Sequence, residues 1–311
     1  MDIVVERGAG LDVHKESVVG CIDGSGIKKE VQTFGTMTNE LIRLKGWLKD
    51  NKITHVAMES TGVYWKPVFN VLEEDFEVIL VNARHIKNVP GRKTDVLDSE
   101  WLCKLLRCGL VRGSFIPMRE IREMRDLTRY RGKLVNVIDA EKNRVQKVLE
   151  DANIKISSVA TDTFGVSGSA IIDALIKGEK TIEEMTALVK GRLCKKKKEM
   201  QEALVGYFRE HHKFMIKASL EHIKQVEKII AELDVRIDTI IEEKYAEEYK
   251  LLQTVPGIKE HGAATILAEI GNDMNQFPSE EHLSSWAGLS PGNNESAGKK
   301  KVEGQPTGTN A

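Results

Sequence analysis

The 311-residue chain carries 46 basic against 47 acidic side chains, a formal charge of −1, so no global cationic excess marks a nucleic-acid binder and any such surface has to be local. With 30% charged and only 5% aromatic residues, extended solvated helices are expected beside a compact core, and the length suits about two or three domains. No apolar run approaches the roughly 20 residues of a membrane span, and MDIVVERGAG lacks the basic start and apolar core of a signal peptide; a cytoplasmic protein with no membrane partner is expected.

In chain order, GLDVH, ESVVGCIDG and IKKEVQTFGT read as three short strands, with DGSG as the turn between the last two, an antiparallel meander. TNELIRLKGWLKDN follows as a helix capped by Thr38 or Asn39, then a buried strand THVAMES, a helix through VYWKPVFNVLEED and a strand FEVILVN. A meander followed by strand, helix, strand predicts a mixed sheet with helices on its faces over residues 1–118. In KTDVLDSEWLCKLL, Asp95 and Asp98 lie one helical turn apart and share a side, with Trp101, Leu102, Leu105 and Leu106 behind them. Acids in a first turn also complement the helix dipole, with Thr94 as cap. The four cysteines, Cys21, Cys103, Cys108 and Cys194, show neither zinc spacing nor a disulfide framework.

Residues 119–248 change character. Leu127, Leu134, Ile138, Val145 and Val148 recur at coiled-coil spacing, and Ile223, Val226, Ile230, Leu233, Ile237 and Ile240 alternate three and four. Two long helices running as an antiparallel arm are expected, joined by a less regular stretch with TFGVSGS and the lysine run Lys195 to Lys198. The second heptad run is expected to join chains into a dimer or tetramer. Arg122, Arg125, Arg129 and Lys133 share one face of the first long helix, suited either to nucleic-acid phosphates or to salt bridges with Glu120, Glu123 and Asp126.

Residues 249–311 form a third section. VPGIKEHGAATILAEIG reads as a tight turn at Pro256-Gly257 opening a helix, whose first amides are available to DNA as in a helix-hairpin-helix. FPSEEHLSSWAGLSPG adds a short helix, and NNESAGKKKVEGQPTGTNA reads as a flexible tail.

Asp12 on the first strand and Glu59 at the end of the fourth can meet outside the sheet's strand ends, beside the helix with Asp95 and Asp98. Four carboxylates without compensating bases repel one another unless a cation binds, and oxygen-only ligands suit Mg2+ or Mn2+. Paired ions of that kind serve phosphodiester chemistry.

GLDVHKES, AMESTGVYW and KTDVLDSEWLCKLL, then REIREMRDLTRYRGKLV, VPGIKEHGAATILAEIG and WAGLSPGNNESAGKKK, together resemble the DEDD transposases of insertion-sequence family 110 (with 116 and 902), in order and over nearly the whole chain. The resemblance implies an α/β plus α protein: a RuvC-like, ribonuclease H-like mixed-sheet domain over 1–118, a long antiparallel coiled-coil arm over 119–248, and a small helical C-terminal transposase domain over 249–311. It implies a DNA recombinase guided by a structured RNA and acting on donor and target DNA. Asp12, Glu59, Asp95 and Asp98 would be its metal-holding acids and Ser296, in ESAGKKK, its nucleophile, with Lys299 and Lys300 neutralising phosphate and Gly257 in the DNA-gripping turn. It also implies that the acids of one protomer act with the serine of another. A junction-resolving endonuclease that uses water, or an inactive binding remnant, are the alternatives. Family members continue past the serine motif with a basic, glycine-containing segment and a helix, whereas this chain turns to VEGQPTGTNA, so an incomplete last domain is expected.

Overall fold

The computed structural model describes residues 3–59, 62–81, 98–111 and 113–289, and the backbone of 295–296 and 299–300. By contacts the chain divides into two units, Met1–Ile116 with Asn275–Ala311, and Pro117–Met274. The section read from sequence as 249–311 is thus shared between them.

The first unit is built on a five-stranded sheet. Its strands are β1 (Arg7–Val13), β2 (Ser17–Gly24), β3 (Ile27–Gly35), β4 (His55–Glu59) and β5 (Glu77–Val81), in the order β3-β2-β1-β4-β5. β1, β2 and β3 form the expected antiparallel meander, and β4 and β5 run parallel to β1. Gly26, at φ +72°, supplies the left-handed turn residue between β2 and β3 that a side chain would resist. Helices α1 (Thr38–Asp50), α2 (Trp65–Leu72) and α3 (Asp98–Arg107) complete it. Met37, rather than Thr38 or Asn39, occupies the cap position of α1, and no side chain caps it.

Strand alternation sorts the two faces. Ala9, Leu11, Val56, Met58 and Leu80 point to one side, where Leu41, Leu44 and Leu48 of α1 and Trp65, Val68 and Leu72 of α2 close the main core. Ala57 and Val81 point to the other, where Trp101, Leu102, Leu105 and Leu106 of α3 cover them. The apolar stripe read behind the acids is therefore the surface by which α3 docks. Residues 275–289 join this unit through Phe277 and Trp286, whose rings meet Phe115 at 5.3 and 6.1 Å between centroids. They include helix α12 (Glu280–Trp286).

The second unit is helical. Its spine is α4 (Arg119–Asp151) and α9 (Glu210–Lys244), 33 and 35 residues long. They run antiparallel: Ile121 and Met124 meet Ile237 and Ile241, Leu134 and Ile138 meet Ile223 and Val226, and Val145 and Leu149 meet Ile216. The heptad run Ile223 to Ile240, read as the seam between chains, packs against α4 of the same chain, with Ile223, Val226 and Ile237 buried and Ile230, Leu233 and Ile240 half-buried.

The stretch between the long helices is not irregular but a helical cap: α5 (Ile156–Val159), α6 (Val166–Lys177), α7 (Ile182–Thr186) and α8 (Lys197–Ala203). Thr181 and Glu184 form a capping box at the start of α7, and Gly178, at φ +69°, ends α6. Ile171, Ile172, Met185 and Met200 pack with Val145, Leu149 and Ile216 of the spine into one core. Helices α10 (Ala246–Gln253) and α11 (Glu260–Ile270) close the other end of the spine, with Ala264, Leu267 and Ala268 against Ile121 and Met124. Among the described residues no helix is long and apolar enough to cross a membrane.

Candidate active site

Gly8, Ala9, Gly10 and Leu11 of β1 pair in parallel with His55, Val56, Ala57 and Met58 of β4, so the next step of the ladder sets Asp12 beside Glu59. Alternation puts both on the face of Gly8, Gly10 and Ala57, the face that α3 covers. The direction of α3 brings in the third acid. A Cβ added to Gly10 would lie 2.2 Å from the Ser99 carbonyl oxygen and 2.4 Å from the Cys103 amide nitrogen, whereas one on Gly8 would meet Leu106 and Arg107. α3 therefore runs antiparallel to β1 and begins, at Asp98, over the end where Asp12 sits. Asp12, Glu59 and Asp98 thus gather at one sheet end and on one face, while Asp95 and Thr94 lie outside the described residues.

Asp12 keeps 20% of its side-chain surface exposed, and the exposed His14 places Nε2 3.1 Å from Asp12 Oδ2. Among the described residues, no three His, Cys, Asp or Glu side chains converge closely enough to hold an ion. Asp98 and Glu100 also satisfy the dipole reading of the first turn of α3. The two readings are compatible, because a helix start favours acids whether or not they serve a ligand.

Sequence reasoning missed what holds α3 at this depth. Gly8 and Gly10 form a flat strip, legible in RGAGLDV as glycine on alternate positions of a strand, where close backbone approach is the usual reason. Glu100 and Arg107 of α3 form ion pairs with Lys29 and Asp23 on the hairpin β2–β3, pinning both ends of the helix. Cys21, in register with Gly10, meets Cys103 beneath α3, and both are buried free thiols. The hydrogen bond with Cys21, reinforced by burial, pushes the Cys103 thiol up, and Cys103 Sγ donates to the Gly8 carbonyl at 3.3 Å.

Ser296 belongs to the same unit as the acids. Within the stretch read as a flexible tail, β6 (Glu295–Ser296) pairs antiparallel with β7 (Lys299–Lys300), setting Ser296 opposite Lys299.

Residues 9–154 match a family model described as Transposase, of the DEDD type of IS110, and residues 249–310 match that of the Transposase IS116/IS110/IS902 family. The chain belongs to the IS110 family of DEDD transposases. It is an enzyme of DNA transposition and recombination. Two solved structures are similar: RuvC of Thermus thermophilus in complex with Holliday junction substrate, at 12% identity and TM-score 0.27, and Thermus thermophilus RuvC, at 13% and 0.26. Each covers 35% of this chain and 99% of the RuvC chain. No curated protein matches the sequence.

In this transposase the basic face of α4 is largely committed within the fold. Arg125, only 9% exposed, donates to the Ala268 and Glu269 carbonyls at 3.1 and 2.6 Å, capping the end of α11, and burial lowers its pKa. Arg129 clasps the Glu269 carboxylate through Nε at 2.7 Å and a second nitrogen at 2.9 Å, which raises its pKa. Their partner lies about 140 residues on, not among Glu120, Glu123 and Asp126, so neither alternative read from the sequence anticipated it. Arg125 is thus corrected from phosphate contact to structural residue. Arg122 is half-buried and donates to the Pro117 carbonyl at 3.1 Å, and Lys133 is exposed. Arg125→Ala is expected to lower the stability of the helical unit by about 3 kcal/mol, since it leaves the Ala268 and Glu269 carbonyls without their donor and removes a buried side chain. Lys133→Ala should cost less than about 0.5 kcal/mol. Urea unfolding followed by circular dichroism checks both, and equal costs would refute the assignment. Gly257 adopts φ +93° in the turn between α10 and α11, a conformation open to glycine, with nothing within 4 Å of an added Cβ.

Proposed function

We propose that this transposase recombines donor and target DNA under the direction of a structured guide RNA, with Ser296 as nucleophile and Asp12, Glu59, Asp95 and Asp98 as ligands of Mg2+ or Mn2+. The observation that carries the reading is the register of Asp12 beside Glu59 at the sheet end where α3 begins with Asp98. A donor set of carboxylates alone fits a hard dication. When bound, such an ion neutralises charge on the scissile phosphate and on the departing oxygen.

Ser296 Oγ bonds to phosphorus while the bond from phosphorus to one sugar oxygen breaks; the hydroxyl proton is lost and the sugar oxygen takes one up. The phosphoserine link keeps the ester's free energy for rejoining. Lys299 and Lys300 add positive charge beside the serine, the turn at Gly257 offers backbone amides, and Arg122 and Lys133 of α4 contact phosphates. The acids of one protomer act with the serine of another in a dimer or tetramer. The guide RNA and the shared site are carried over from the resemblance of the motifs to those of the family.

The test is a denaturing gel of labelled donor and target DNA with the flanking RNA of the element, Mg2+ and protein. A labelled band retarded by covalently attached protein, lost in Ser296→Ala and in Asp12→Ala, supports the reading. Cleavage without attachment that survives Ser296→Ala would instead establish hydrolysis by water.

A further inference from the structure

We propose that the helical cap carries a separate DNA-binding site, a basic cleft that holds the phosphate backbone of duplex DNA. The cleft, about 610 Å3 in volume, opens between the start of α6 and residues 190–196, and its walls include Val159, Asp162, Val166, Lys190, Arg192 and Lys196. Lys190, Arg192 and the run Lys195 to Lys198 are all exposed. Among the described residues only Lys196 of these six meets an acid, Glu199 at 3.9 Å.

The density of these cations sets the cap apart from the rest of its unit. On the spine, Arg125 and Arg129 share Glu269, Arg131 pairs with Asp234 and Lys244 with Glu120, while the exposed Lys217, Lys224 and Lys228 are spread along about three turns of α9. In a chain of almost zero net charge, five unneutralised cations within nine residues are a local positive field that folding does not need. The segment is held in place as well. The buried Ser167 accepts the Lys190 amide at 2.9 Å, Cys194 Sγ donates to the Val189 carbonyl at 3.3 Å, and Val189 and Leu193 pack into the cap core. Asp162, the acid in the wall, turns a carboxylate oxygen to the Phe164 amide at 2.9 Å.

Lysines and an arginine fixed around an open cleft, without aromatic side chains in its walls, suit backbone contact rather than base stacking. DNA is the polyanion assigned because the chain is a transposase. At 1.5 Å per residue, the 33-residue α4 places this site about 50 Å from the helix's first turn. The inference does not depend on the serine or on the guide RNA.

The test measures binding, not cleavage. Full-length protein is titrated onto a fluorescent random-sequence DNA duplex, without RNA, over a range of salt. Lys190→Ala/Arg192→Ala/Lys195→Ala is compared with Lys217→Ala/Lys224→Ala/Lys228→Ala, which removes the same charge from the exposed side of α9. The cap variant should bind roughly tenfold more weakly, with a slope of log affinity against log salt shallower by about 2 to 3. The α9 variant should keep the wild-type slope, and Lys190→Arg/Lys195→Arg should bind as wild type, which separates lost charge from lost folding. Equal losses in the two alanine variants, or no loss in the cap variant, would overturn the proposal. A response confined to an RNA duplex of the same length would overturn the assignment to DNA.

Discussion

Gly10→Ala is expected to lower the unfolding free energy of the sheet unit by about 3 kcal/mol, a large fraction of the roughly 5–15 kcal/mol that holds a domain together. The added methyl would stand 2.2 Å from a carbonyl oxygen and 2.4 Å from an amide nitrogen of α3, both backbone atoms that no rotamer change can move. The helix has to lift, and its apolar stripe lifts with it. Gly8→Ala makes the contrast: its new methyl would meet the ends of Leu106 and Arg107 at 3.1 and 3.3 Å, flexible groups that can shift, so about 1 kcal/mol is expected. Urea midpoints of the two variants decide the matter, and a Gly10→Ala protein as stable as wild type would mean that α3 is not packed at this depth. Because α3 begins with Asp98, DNA cleavage should fall together with stability.

Asp12→Asn and Glu59→Gln should reduce DNA cleavage by at least roughly 10²- to 10³-fold, because each removes an anionic ligand while preserving shape. The effect of Asp12→Asn on stability should be within about 0.5 kcal/mol. Both residues stand at a strand end outside the two apolar cores, and the interaction of Asp12 with the exposed His14 is of the weak surface kind. The separation of the two readouts is the diagnostic, since Gly10→Ala loses both. Cleavage retained by Asp12→Asn at saturating Mg2+ would remove the carboxylate site from the mechanism.

The sheet was readable because its strands carry a two-residue alternation and its hairpin carries DGSG. The long helices were readable because a three-four apolar repeat has one structural solution. What that repeat could not reveal was its partner: Ile223 to Ile240 fits a neighbouring chain as well as α4, and only the packing of Leu134 and Ile138 decides. The cap escaped because its helices, of 4 to 12 residues, are too short to show periodicity. The partner of Arg125 and Arg129 was not legible for a related reason: spacing along a helix shows which residues share a face but not what lies against it. Asp12 and Glu59 were legible as strand-end acids, yet their adjacency rests on the parallel register of β1 with β4, which no local pattern encodes.

The division of the chain has a consequence for its manufacture. The sheet and its acids are complete by Ile116, but the segment with Ser296 rejoins that unit only from Asn275, after the 158 residues of Pro117–Met274 have been made. At about 5–20 residues per second, a ribosome needs roughly 8–30 s to cover that interval. During it the nascent chain carries the acids of the site but no Ser296 of its own, so on the mechanism proposed above a half-made transposase depends on the serine of a finished protomer to break DNA.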